Sequence, residues 1–189
     1  MRTALLIGCA AMLGAQPRID NAKLETRTAG PSLDAAFRMI AAAEANAAWI
    51  GYTVAQIPGE RQMCATVILE GAPEFVVMYR IHAGQVEKIR TYGADCKFDA
   101  GGLPVYWLTG VDGAQSAALL ASYVAPGKSA VSSSALSAVA RHRDGALALI
   151  ALAKRTDLPS NTRQEVMRWL GRSTDQRAVK FFEQVLAAR

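Results

Sequence analysis

The sequence predicts an α+β protein, a small antiparallel sheet with flanking helices followed by a short α-helical segment. Three observations carry that prediction. Residues 75–81 alternate, with Phe75, Val77, Tyr79 and Ile81 on one side, the period of two that marks a strand. Residues 33–48 instead set Phe37, Ile40, Ala41 and Glu44 at helical spacing behind Ser32, a good N-cap. Residues 144–189 nearly repeat themselves. Shifted by 32 positions, Ala146 falls on Ala178, Leu147 on Val179, Leu149 on Phe181, Ile150 on Phe182 and Ala153 on Val185. A period of this size marks helices laid side by side, each burying its apolar face on a neighbour.

Taken in chain order, residues 1–15 read as a signal peptide. Arg2 supplies the charged start, residues 4–13 an uncharged run, and Ala15 a small residue for cleavage before Gln16. Leu6-Ile7-Gly8-Cys9 has the look of a lipobox. The apolar run continues past Cys9, however, and cleavage after Ala15 keeps that region whole. The mature chain is then exported, and residues 16–126 form the α+β domain. After the helix at 33–48, the aromatic and β-branched run from Trp49 reads as a strand over 49–57, stopped by Pro58-Gly59. Residues 64–69 make a second strand and 75–81 a third. His82-Ala83-Gly84-Gln85 is a turn, and 86–92 returns as a hairpin partner whose broken alternation between Val86 and Ile89 predicts a bulge. Residues 105–109 offer a further strand. Asp112 caps a helix running to 124.

Residues 127–134, with Gly127, Lys128 and four serines, read as a linker. From 135 to 189 the chain is helical, punctuated by Gly145, Pro159 with Ser160, and Gly171, and Asp175 caps the last helix. So few helical units cannot bury their faces alone, so they are expected to pack onto the α+β part.

Cleavage after Ala15 would remove Cys9 and leave Cys64 and Cys96, which in an exported chain read as one disulfide. The alternative, two buried thiols, stays open. If residues 64–69, 75–81 and 86–92 form a meander, the two cysteines tend towards opposite ends of it.

Charge is unevenly spread. From Arg141 onward there are ten Lys or Arg against five Asp or Glu, and the remaining chain has eleven of each, so the whole net +5 lies on the helical end. Arg163, Arg168, Arg172 and Arg177, with Lys180, form a possible interaction surface there, suited to another protein or an acidic surface. Export argues against nucleic acid. The mature chain has no stretch of the roughly 20 apolar residues a transmembrane helix needs.

Catalytic and metal chemistry find little support. The chain has two histidines, no Cys-x-x-Cys and no pair of histidines four apart, so a metal site is not predicted. His142-Arg143-Asp144 matches part of a kinase catalytic loop, but the position that should carry Asn is Leu149. Gly127-Lys128-Ser129 ends like a phosphate-binding loop, but Ser122 stands where its first Gly belongs. Asp95 and Asp99 hint at a calcium loop, which Lys97 interrupts. No catalytic residue, metal ligand or cofactor is assigned.

Asp144-Gly145-Ala146-Leu147, then Arg163, Val166, Trp169-Leu170-Gly171, then Asp175 with Ala178-Val179, resemble the HEAT-repeat pattern. The stretch from Asp95-Cys96-Lys97-Phe98 through Gly101-Gly102-Leu103-Pro104, with Trp107-Leu108 and Gly110-Val111, is similar to the N-terminal part of exported bacterial HEAT-repeat proteins of unassigned activity. The resemblance implies a scaffold that binds other macromolecules through a helical surface. The expected function is therefore a non-enzymatic exported interaction protein. The alternative is a hydrolase with its site in the β part, near His82 and Asp99.

Overall fold

The computed structural model describes residues 18–58, 73–126 and 129–188. The expected signal peptide, the strand expected at 64–69 and Cys64 lie outside the described residues. Two strands open the chain, β1 (Arg18–Asp20) and β2 (Lys23–Thr28). Helix α1 (Leu33–Ala43) follows, its first turn closed by Ser32 Oγ, which accepts the Ala35 N–H at 3.2 Å. This helix stops sooner than expected. Glu44 leaves it to accept a hydrogen bond from the Tyr106 hydroxyl, and Ala48 already belongs to the next strand.

Strands β3 (Ala48–Ala55), β4 (Glu74–His82) and β5 (Gln85–Gly93) pair antiparallel in that order. The β4–β5 turn is Ala83-Gly84, both with positive φ, 47° and 75°, as a two-residue hairpin turn requires. The expected bulge is present: Ile81 pairs with Val86 and Arg80 with Lys88, leaving Glu87 as the extra residue. After β6 (Lys97–Asp99) comes β7 (Pro104–Thr109), which pairs in parallel with both β3 and β2. The five-stranded sheet therefore runs β2-β7-β3-β4-β5 and is mixed: the antiparallel character expected holds for β3, β4 and β5, while its other half is parallel. β1 and β6 form a separate parallel pair.

Alternation along the strands splits their side chains between two cores. Ile50, Tyr52, Phe75, Val77, Tyr79, Ile81 and Leu108 face the helices in the main core. Trp49, Val76, Met78, Val105 and Trp107 face the other way, where Phe98 and Ala100 beside the small β1–β6 pair cover them. Gly51 makes room there. A Cβ on it would lie 2.1 Å from the Met78 sulfur, which fills the space instead.

Helix α2 (Gly113–Ser122) is capped by Asp112, whose carboxylate accepts the Gln115 N–H at 2.9 Å. Helices α3 (Ala130–Arg141), α4 (Gly145–Lys154), α5 (Ser160–Arg172) and α6 (Gln176–Ala187) complete the chain. Most of the stretch 127–134, expected as a linker, is therefore helix. Ser129 caps α3 by accepting the Ser132 N–H at 3.0 Å, and Ser132 is itself buried. The serines that resemble linker residues supply a cap and a close-packed contact. Gly171 does not end α5 either, because the helix runs on to Arg172.

The helical end shares one core with the sheet: Phe75 and Tyr79 belong to the same cluster as Leu136, Leu149, Val166, Leu170 and Phe181. Backbone bonds fix the joint. Arg143 N–H donates to Ala55 O at 3.1 Å and Ile57 N–H to Arg141 O at 3.0 Å, extending β3 against the α3–α4 turn. Arg155 Nη1 donates to Val124 O at 2.8 Å, so a side chain just after α4 satisfies a carbonyl just beyond α2.

Candidate functional site

The five cations expected as one surface separate into three settings. Arg177 is held by Asp175, its Nη2 2.6 Å from the carboxylate. Arg172 lies over the Trp169 ring at 5.6 Å. Arg172 and Asp175 line a pocket of about 300 Å³ at the seam between the α3–α4 turn and the α5–α6 connection. Trp169 is partly buried at the edge of the main core and also lines this seam. Lys180 is exposed on α6 and makes no ion pair among the described residues.

Arg163 and Arg168 stand together elsewhere, on a groove of about 770 Å³ between α4, α5 and α6. Its floor is apolar: Ala153 of α4, Met167 of α5, and Phe181 and Val185 of α6. Arg163 is half-buried, and its Nε–H has no acceptor among the described residues. The helical period explains the groove. In all five residue pairs of the 32-position repeat the members share a burial class: Ala146 and Ala178 buried, Leu149 and Phe181 buried, Ile150 and Phe182 half-buried, Ala153 and Val185 half-buried, Leu147 and Val179 exposed. Of the half-buried pairs, Ala153 and Val185 line the groove from α4 and α6, and Arg163 and Arg168 of α5 line it beside them. The arrangement can hold an apolar stripe with acidic flanks.

His142 occupies a different environment. It is 1% exposed, edge-on to Phe75 with ring centroids 5.9 Å apart, and its Nδ1 accepts the Asp144 N–H at 3.1 Å. That bond places the proton of the neutral ring on Nε2. Burial pushes its pKa down to about 4, although Asp144, 4.0 Å away, pulls it upward. A histidine held neutral by desolvation, with its ring packed on Phe75, braces the joint between sheet and helices.

The two residues of the hydrolase alternative are held apart by different partners. His82, at the β4–β5 hairpin tip, contacts Glu87 at 3.2 Å. Asp99 closes its own turn, accepting the Gly101 N–H at 2.8 Å and Asn21 Nδ2–H at 3.3 Å. The pocket that Asp99 lines does not include His82. Among the described residues no three of His, Cys, Asp and Glu gather as metal ligands, and no helix is long and apolar enough to cross a membrane.

Sequence reading misses one group of side chains. Arg80, Lys88, Arg90 and Lys97 meet beside Trp49 on the outer face of the sheet. The only sequence signal for them is alternation of cations with apolar residues on β5, and strand register is needed to assemble it. Comparison with known proteins finds no matching family model, no matching curated protein and no matching solved structure.

Proposed function

We propose that this is a non-enzymatic exported protein whose helical end, built in the manner of HEAT repeats, docks an acidic segment of another protein. The observation that carries this reading is the groove between α4, α5 and α6, apolar along its floor with Arg163 and Arg168 beside it. An amphipathic segment would lay its apolar side chains on Met167, Phe181 and Val185 and its carboxylates against the two guanidiniums. The half-buried Arg163, with an Nε–H that no described residue accepts, favours a carboxylate partner over a neutral one. The long-range part of such an attraction is screened over about 8–10 Å at ordinary salt.

The test is recovery of partners from the exported fraction by the intact chain and by the Arg163→Glu, Arg168→Glu double variant. The reading expects recovery by the intact chain, reduced by added salt and lost in the double variant, with Arg172→Glu as a control that leaves it intact. Equal recovery by intact chain and double variant would leave the groove as a solvated surface only. The same reading takes Cys64 and Cys96 as one disulfide, as an even pair in an exported chain is most economically paired. Thiol titration of the denatured, unreduced mature chain should then find no free thiol, and two per chain would refute the bridge.

A further inference from the structure

The outer face of the sheet carries a cationic pocket that the helical groove does not share, and strand register builds it. Trp49 stands opposite Arg80 and Arg80 opposite Lys88, so one row across β3, β4 and β5 reads Trp49, Arg80, Lys88. The neighbouring row reads Gly51, Met78, Arg90. The β5 bulge is what brings these cations to one face. Continuing the pairing of Ile81 with Val86 without it would set Glu87 opposite Arg80 and turn Ile89 outward. The extra residue returns Ile89 to the main core and aligns Lys88 and Arg90 on the outer face. Lys97 and Phe98 of β6 close the far side, leaving a pocket of about 510 Å³.

Its donors are underused. Trp49 is 6% exposed, packs edge-on to Phe98 at 4.9 Å, and has a buried Nε1–H with no acceptor among the described residues. Arg80 Nε is also buried without a hydrogen-bond partner, since Glu87 Oε2 lies 3.6 Å away, too far for one. Lys88 and Arg90 are exposed and make no ion pair among the described residues. Against these four cations the described residues of the pocket wall offer one carboxylate, Asp99, which is committed to the Gly101 N–H and Asn21. Glu87 draws on Arg80, and Asp20 lies 3.9 Å from Lys97, so positive charge remains in excess once both are counted.

We propose that this pocket binds a phosphate monoester. Buried N–H groups without acceptors are rarely left so in folded proteins, and a phosphate presents several strong acceptor oxygens to guanidinium, ammonium and indole donors together. Its negative charge answers the local positive excess, and Trp49 and Phe98 give the esterified group an apolar wall. A free sugar phosphate and a phospholipid headgroup share this chemistry. The site is independent of the helical groove, so either can fail alone.

The test measures binding to the mature full chain of three probes: inorganic phosphate, glycerol 3-phosphate, and phosphatidylcholine vesicles with and without phosphatidic acid. Saturable binding of glycerol 3-phosphate points to a soluble ester, and binding to the phosphatidic acid vesicles alone points to a headgroup. In either case Lys88→Gln with Arg90→Gln, both exposed and so neutral to the fold, should weaken binding tenfold or more. Trp49→Phe, which keeps an aromatic ring but removes the N–H, should weaken it severalfold. The Arg163→Glu, Arg168→Glu variant should bind as the intact chain does. No saturable binding of any probe at millimolar concentration, or affinity indifferent to the Lys88 and Arg90 changes, overturns the proposal.

Discussion

Leu149 of α4 and Phe181 of α6 occupy equivalent places 32 positions apart, 3% and 8% exposed in the same core. Leu147 and Val179, the equivalent pair two residues earlier, are 55% and 44% exposed. The repeat therefore encodes which face of each helix turns inward. Leu149→Ala should cost about 2–5 kcal/mol, the usual range for emptying a core leucine site, while Leu147→Ala should stay within about 0.5 kcal/mol. Urea unfolding of the two variants checks this, and equal losses would contradict the assigned faces.

Sheet and helices should come apart in acid through His142. Its folded pKa is lowered from 6.5 to about 4 by burial. As pH falls through 6.5 the unfolded chain takes up a proton that the folded chain refuses until about pH 4. The stability this residue preserves is thus whole above pH 6.5 and is lost between 6.5 and 4. The loss should amount to at most about 3 kcal/mol. Unfolding free energies at about pH 4.5 and about pH 7.5 should differ more in the wild type than in His142→Gln, which removes this proton while the carboxylates still titrate. The same pH slope in both proteins would refute the role.

Gly145 is needed for close approach. A Cβ there would lie 2.0 Å from the carbonyl oxygen of Val139, backbone of the last turn of α3 that cannot swing aside as a side chain does. Gly145→Ala should cost about 1–3 kcal/mol, as overpacked positions do. Gly171→Ala is the contrast: with nothing within 4 Å of the added methyl, it should be neutral or stabilising by up to about 1 kcal/mol. Thermal unfolding of the pair separates the two effects.

Much of the fold is legible in the sequence because local chemistry and tertiary packing agree. Ser32, Asp112 and Asp175 cap the helices they precede. The broken alternation after Val86 is a bulge. What escapes reading depends on partners distant in sequence. β2 carries Lys23, Glu25 and Arg27, no apolar face, because it is an edge strand held by parallel pairing with β7. α1 ends early because Glu44 is drawn to Tyr106, 62 residues away. The serines of 129–134 look like a linker until Ser129 is seen as a cap. For the site, Arg163 and Arg168 are visible as charges, but Arg177 is taken up by Asp175 and Arg172 by Trp169. Only the packing of α4, α5 and α6 distinguishes these fates.

The claim that the helical groove is where this protein meets its partner is tested most directly by crosslinking. A photoreactive residue in place of Gln164, on the groove wall, is compared with one in place of Met39, 68% exposed on α1. The account predicts that the Gln164 position captures an acidic protein, that the Met39 position does not, and that Arg163→Glu with Arg168→Glu abolishes the capture. Equal capture from both positions, or capture undiminished by the charge reversal, would contradict it.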